Sequence, residues 1–343
     1  MHHPAKILIA RLSSIGDIIL TTPVIRGVRM KFPDASITFL VKAKFAPLLM
    51  HNPHIDEVLV YNDSAGKGEL QRLVKKIRKQ EFDWFIDLHK SLRTRYIRTL
   101  LGFPEVTTYN KQIFSRTLLV KFGINRFKTI KPVYLRYFEA VEKNGITYDR
   151  QGTEVDYSQN DSQLVENLLD SDGYKSLQQL IVICPGASYK NKQWLPERFA
   201  EIADELTTPS GRFLAFLGGK ADTELCDGII AMMKNKAVNY AGRLSLLQSA
   251  ALLHKSALVI TNDSGMMHLA QAQKSPVVAI FGATCRELGF FPLPENSITV
   301  EKKVSCRPCT HKGLNRCPRK HFNCMNLITA DDVMAAAQKF LPE

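Results

Sequence analysis

Short apolar runs alternate with amphipathic stretches along the whole chain, an order that predicts parallel strands joined by helices rather than hairpins. In the first half, KILIAR, SITFLV, EVLVY, WFIDLH and EVTTYN read as strands. The polar stretch NGITYDRQGTEVDYSQNDSQ then carries no apolar period, and a second series starts with LIVICPG and continues through RFLAFLGG, AVNYAG, ALVITNDSG and PVVAIFG. The pattern predicts two Rossmann-like, doubly wound α/β domains over residues 1–155 and 156–328, and a closing helix over 329–343. Thr329 is the expected N-cap of that helix, with Asp331 and Asp332 in its first turn. Terminal helices of this kind often pack across a domain junction. Open parallel sheets bind ligands outside the carboxyl ends of their strands, so two such domains are expected to bind theirs in the central cleft they face.

At 343 residues and 45% hydrophobic, the chain is long enough for two cores of ordinary size. No apolar run approaches the roughly 20 residues of a membrane-spanning helix, and MHHPAKILIA does not read as a secretory signal, so a cytoplasmic location is expected. Seven cysteines, an odd number, fit reduced thiols better than a disulfide framework. The net charge of +13 is unevenly spread: residues 1–150 hold 26 Lys and Arg against 13 Asp and Glu, and residues 151–343 hold 20 against 20. A field of one sign suits an anionic partner, whether nucleic acid, membrane surface or acidic substrate, and a merely solvated basic surface is equally compatible.

Chemistry-bearing residues gather at the expected strand ends. After the first strand, which ends at Arg11, Gly16 permits a tight turn, and Thr22 followed by Pro23 marks a helix start. Asp17 between them serves either as a helix cap or as a proton acceptor, and the residues alone do not choose. In the second half, CPGASYKNKQW sets Gly186, Ser188, Lys190 and Lys192 past a strand, with Pro196 opening a helix. LGGKADTEL brings Gly218, Gly219, Asp222 and Glu224, and TNDSGMMHLA brings Asp263, Ser264, Gly265 and, one turn into a helix, His268. Small residues between a strand and a helix leave backbone N–H groups free for an anion, so three such junctions suggest a phosphorylated ligand. Each has a plainer reading as a turn, a cap or a solvated lysine. No G-x-G-x-x-G follows the first strand and no G-x-x-x-x-G-K-[ST] occurs, which argues against a dinucleotide cofactor and a P-loop.

RLSSIGDIILTTPVIRGVRMKFP, DLHKSLRTR, PGASYKNKQW, TNDSGMMHLA and the closing cysteine tail with CMNLITADDV together resemble the bacterial ADP-heptose:lipopolysaccharide heptosyltransferases, glycosyltransferase family 9, over almost the whole chain. The resemblance implies the GT-B architecture, with the acceptor on the N-terminal domain and the nucleotide sugar on the C-terminal one. It implies a metal-independent, inverting transfer with Asp17 as general base and Lys192 stabilising the departing pyrophosphate. Asp263, Ser264, Gly265 and His268 match the donor-binding loop and helix start, and Ser188 and Glu224 match more weakly around phosphate and ribose. Ala187 stands where some members carry a hydroxyl residue. No cofactor is implied beyond ADP-heptose as donor substrate. The implied partner is the acidic, lipid-linked inner core of lipopolysaccharide at the cytoplasmic face of the inner membrane, where the enzyme associates peripherally; nucleic acid is not implied. Lys90, Arg93, Arg95 and Arg98 in HKSLRTRYIR are the candidates for gripping that acceptor, against the reading of a solvated helix face.

Cys306, Cys309, Cys317 and Cys324, with His311 and His321, are enough to ligate a structural metal, but only the first pair has regular knuckle spacing. Reduced thiols are the other reading, and catalysis in the resembled family does not rest on a metal. Between Lys302 and Lys320 this tail holds seven Lys or Arg and no acid, which suits an anionic membrane surface, the acceptor, or solvent. Two other classes compete. A noncatalytic nucleic-acid-binding protein lacks a recognisable motif and interleaved aromatics. A sugar-nucleotide epimerase or hydrolase of the same fold would have less use for a base on the domain opposite the nucleotide.

Overall fold

The structure is a computed structural model that describes residues 4–66, 68–208 and 211–341. The chain divides into two compact units, one running from the N-terminus through Lys111 and resuming at Lys131–Asp156, the other comprising Gln112–Ile130 and Tyr157–Glu343.

The first unit is built on β1 (Lys6–Ala10), β2 (Ser36–Lys42), β3 (Glu57–Tyr61), β4 (Trp84–Asp87) and β5 (Glu105–Thr108), all parallel, in the order β3-β2-β1-β4-β5. Its helices are α1 (Ile15–Ile19), α2 (Thr22–Lys31), α3 (Glu69–Arg78) and α4 (Leu92–Leu101). Beyond Lys6 every residue of β1 is buried, as is all of β4. Helices cover both faces of a parallel sheet, so its central strands read as unbroken apolar runs rather than alternating ones. Helix α5 (Ile113–Phe122) follows, then α6 (Val133–Tyr137), with which the chain returns to the first unit.

The second unit contains β6 (Gln179–Cys184), β7 (Arg212–Phe216), β8 (Val238–Asn239), β9 (Leu258–Asn262), β10 (Val277–Phe281) and β11 (Ser297–Glu301) in the order β11-β10-β9-β6-β7-β8, again all parallel. Helices α7 (Gln159–Ser171), α8 (Pro196–Thr207), α9 (Thr223–Met232), α10 (Leu246–His254), α11 (Gly265–Ala272), α12 (Asn323–Asn326) and α13 (Ala330–Ala337) accompany them. In each sheet the strand order reverses beside the first strand, between β1 and β4 and between β6 and β9. This is the doubly wound arrangement that the alternation of apolar runs predicts.

The structure corrects the reading at four places. The stretch SITVE forms an edge strand, β11, only one of whose residues is buried, too weak an apolar signal to be read. Several predicted strands ran past their true C-termini: WFIDLH is a strand only to Asp87, where the Oδ1 atom accepts the N–H groups of His89 (3.0 Å) and Lys90 (2.7 Å) and turns the chain out of the ladder. Residues 112–130, expected in the N-terminal domain, group with the second unit. Helix α13, capped by Thr329 as expected, packs on α8, β10 and β11. Counted by folded unit, the first carries 22 Lys and Arg against 15 Asp and Glu and the second 24 against 18, so the charge imbalance between sequence halves is not one between units.

The segment that closes the first unit is held electrostatically. The buried Arg26 on α2 donates to Asp149 (2.9 Å from Nη2 to Oδ1), to the Gly152 carbonyl (2.9 Å) and to Glu154. Removing one partner of such a set strands buried charge. Arg26→Ala is expected to destabilise the first unit by about 3 kcal/mol, read as a lower urea midpoint; an unchanged midpoint would show that apolar packing alone holds residues 149–154.

Candidate functional site

Reversed strand order splays the loops on either side of the switch point, so a crevice opens at the carboxyl ends of the two central strands. Each unit gathers candidate residues at its own switch point.

In the first unit Arg11 leaves the end of β1 and Asp17 lies in the short helix that follows. Arg11 Nη2 is 2.5 Å from Asp17 Oδ1, and Nη1 donates to the Leu88 carbonyl past the end of β4 at 2.6 Å. Arg11 therefore ties the two central exits together. Tyr137 donates to Asp17 Oδ1 over a long 3.4 Å, with the Arg11 guanidinium 5.6 Å from its ring centroid. The other oxygen, Oδ2, accepts the Ser14 hydroxyl (2.8 Å) and backbone N–H (3.2 Å), so Asp17 completes a capping box. Its side chain remains 18% exposed. Burial by itself would raise the Asp17 pKa, but Arg11 and the Ser14 bonds outweigh it and hold the carboxyl below its usual range. Capping and a charged, reachable carboxylate thus coexist in one residue.

Around this pair stand residues that sequence reasoning did not assign: Arg11 itself, His89, Tyr109, Lys111 and Tyr137. Lys111 donates from Nζ to the Lys90 carbonyl at 3.0 Å, and Lys90 donates from Nζ to the Tyr109 carbonyl at 2.8 Å. Burial first, and Arg11 next, push the Lys111 ammonium down to about 8. Burial, Arg11 and Lys111 push His89 down to about 3, so its imidazole is neutral at pH 7. The available signal was a charged residue directly after an apolar strand (Arg11); Lys111, three residues past the polar strand β5, carried none.

Of the four residues expected to hold the acceptor, Lys90 sits in this crevice. Arg93 and Arg95 are exposed on α4, and at about 100° per residue they project roughly 160° apart, so they do not converge on one group. Arg98, in the last turn, is half-buried.

In the second unit, Lys192 from the loop after β6 places Nζ 2.6 Å from Oδ2 of Asp263, just past β9. Thr284 donates to the same oxygen at 2.7 Å, and Asp263 is buried. The buried Asn262 amide fixes the β6 loop at both ends, donating to the Pro185 carbonyl (2.7 Å) and accepting the Trp194 N–H (3.1 Å). Neither Asn262 nor Thr284 was foreseen. Ser264 caps α11, accepting the Met266 N–H at 3.3 Å, with Gly265 as the first helical residue and His268 buried one turn on. Ser188 is exposed on the β6 loop and Glu224 is exposed in the first turn of α9. Capping, offered as the plainer role of Asp263 and Ser264, belongs to Ser264.

One of the three expected anion junctions is already filled. Asp222 Oδ2 accepts the Gly219 N–H at 2.9 Å, and a Cβ on Gly186 or Gly218 would stand 2.3 or 2.7 Å from the Asp222 side chain. These glycines, Gly186 after β6 and Gly218 after β7, make room for the protein's own carboxylate.

The tail cysteines are all free, and Cys306 Sγ lies 3.8 Å from His321 Nε2. Among the described residues no three of His, Cys, Asp and Glu are grouped to hold a metal ion. No helix among them is long and apolar enough to cross a membrane.

Two parallel sheets of doubly wound order, each with an ion pair at its switch point, define a protein of the doubly wound α/β class. The family profile "Glycosyltransferase family 9 (heptosyltransferase)" matches residues 70–318, and the chain belongs to that family. Lipopolysaccharide heptosyltransferase 3 of Escherichia coli K12 is 28% identical over 343 residues, covering 96% of each chain. Among solved structures, the family 9 glycosyl transferase of Veillonella parvula superposes with a TM-score of 0.83 at 24% identity, covering 98% of this chain and 97% of that one. The ADP-heptose lipopolysaccharide heptosyltransferase II of Escherichia coli does so with 0.76 at 21%, covering 98% of each. The fold is therefore GT-B, as the resemblance implied.

The Lys111 environment has a measurable consequence. Folded, its ammonium deprotonates near pH 8; unfolded, near the ordinary 10.5, so between these values the unfolded chain binds more protons and stability rises with pH. Lys111→Met should remove that part of the rise, seen by comparing urea midpoints of the two proteins at pH 7 and 10. Parallel pH dependences would mean that Lys111 titrates normally.

Proposed function

We propose that this protein is an inverting glycosyltransferase that moves a heptose from ADP-heptose to the acidic inner core of lipopolysaccharide, working at the cytoplasmic face of the membrane. The observation that carries the reading is the pair of charged switch-point sites, one centred on Asp17 and one on Lys192 with Asp263. Family membership supports heptosyl transfer, and the names of the relatives supply the donor and acceptor classes.

In this mechanism the acceptor oxygen bonds to the anomeric carbon as the bond from that carbon to the diphosphate oxygen breaks. The hydroxyl proton passes to Asp17 and the electron pair leaves with ADP. Asp17 already accepts four contacts, but Tyr137 is distant and the Ser14 hydroxyl can rotate, so either gives way to the acceptor. A carboxylate held below its usual range remains ionised and takes the proton late, once bond formation has made the hydroxyl acidic. Lys192 turns from Asp263 toward the diphosphate as negative charge develops there. Ser264 and the first N–H groups of α11 supply further donors, from Gly265 onward toward His268, while Ser188 and Glu224 meet the exposed part of the nucleotide. These groups provide the positive charge the leaving group needs, and no step calls on a metal. Lys90 and Lys111 hold the nearest acidic group of the acceptor, and Arg93, Arg95 and Arg98 add positive field around it.

Asp17→Asn preserves shape while removing the proton acceptor, so kcat for heptose transfer should fall about 100-fold or more with ADP affinity retained. Ser14→Ala removes the capping hydroxyl but leaves the Asp17 carboxylate and its Arg11 partner, so it should lose far less activity than Asp17→Asn; equal losses in both variants would make Asp17 a structural residue. Lys192→Ala should weaken ADP binding about tenfold or more by calorimetric titration, and unchanged affinity would remove Lys192 from the donor site.

A further inference from the structure

Residues 112–130 combine two properties that rarely occur together on a surface left to water. Six of the ten residues of α5 are apolar, yet only Leu119 is buried. Ile113, Phe114, Phe122, Ile124 and Ile130 are between 49% and 68% exposed, five of the 17 exposed large hydrophobics among the described residues, within 18 positions. A helix so apolar is normally enclosed, and a patch of this kind marks a contact surface. Phe114 lies roughly 140° around the helix from Leu119, on the outward side. The segment is attached to its unit by Leu119 and Ile130, which line a cavity of about 460 Å³ with Arg286 and Val304, and by Asn125, which donates to Glu287 at 3.0 Å.

The second property is charge. From Val106 to Phe138 there are seven Lys and Arg and no acid. Lys121, Arg126 and Lys128 are exposed and have no acidic partner among the described residues. Arg116 and Lys121 also act on His311 together with Lys312, which places the basic tail of residues 302–320 beside α5.

We infer that the 112–130 segment docks onto an anionic phospholipid bilayer: Phe114, Phe122 and Ile124 enter the boundary between headgroups and acyl chains, while Lys121, Arg126 and Lys128 lie against lipid phosphates. Aliphatic side chains have no use on a nucleic-acid backbone, and a surface of one sign repels a second copy of itself, so a bilayer satisfies both properties where the other partners satisfy one. The inference gives the proposed lipid-linked acceptor a place where the enzyme meets it, and in that respect rests on that reading.

The test is sedimentation of the full-length protein with vesicles of phosphatidylglycerol and phosphatidylethanolamine at about 0.15 M salt, against phosphatidylcholine vesicles. The anionic vesicles should pellet the protein and the neutral ones should not. Phe114→Ser with Phe122→Ser should weaken partitioning about tenfold or more, and Arg126→Gln with Lys128→Gln about fivefold per charge. Melting temperatures near the parent value would show both variants folded, as expected for exposed positions. Failure of the parent to bind anionic vesicles overturns the inference, as does parent-like binding by both variants. Dissociation of a dimer by the Phe114/Phe122 change, with vesicle binding intact, assigns the patch to a second copy and also overturns it. Transfer to a water-soluble acceptor fragment should be unchanged in both variants, and an equal loss there would move these residues into the substrate site. An inactive parent on that fragment counts against the proposed function, while the vesicle result still decides this surface.

Discussion

Reversal of strand order beside the first strand of each sheet is the constraint from which the sites follow. Parallel strands need crossover helices, and where successive crossovers lie on opposite faces, neighbouring exits diverge and leave a crevice. Backbone N–H groups and helix starts gather at its edge, so charged ligands meet ready donors there. The loop after β1 meets the exit of β4 through Arg11, and the loop after β6 meets the exit of β9 through Lys192 and Asn262.

Each site holds its charge in a pair. Arg11 with Asp17 and Lys192 with Asp263 are largely withdrawn from water, where a lone charge would be costly and a paired, hydrogen-bonded one is tolerable. Pairing also aims the groups. Asp17 is held by contacts on both oxygens, and Asp263 by Lys192 and Thr284, so neither has to be ordered when a ligand arrives. The same logic explains the junction after β7, where Asp222 occupies the space a ligand anion would need.

The positive charge of the chain, uneven between the sequence halves, is shared almost evenly by the folded units. It is concentrated in stretches without acids, 106–138 and 302–320, whose exposed parts belong to surfaces rather than to the cores. Segment 112–130 is covalently part of the first half yet packs with the second unit, which moves four cations across the expected boundary.

Local pattern alone determined ten of the eleven strands, their parallel arrangement and the positions of Asp17, Lys192, Asp263 and Ser264 near strand ends, because burial on both faces and turn chemistry act over a few neighbouring residues. Tertiary structure decided the rest. Arg11 and Lys111 become site residues only when β1, β4 and β5 lie side by side, and nothing in their own neighbourhoods predicts that contact. Arg93 and Arg95 look clustered in sequence but separate around a helix, since adjacency along the chain is not adjacency on a helical surface. Asn262 and Thr284 act through partners 21 to 77 positions away, and Asp222 through glycines on its own and another loop. Side-chain placement of that kind depends on how the chain returns to itself, which residue order constrains only through the whole fold.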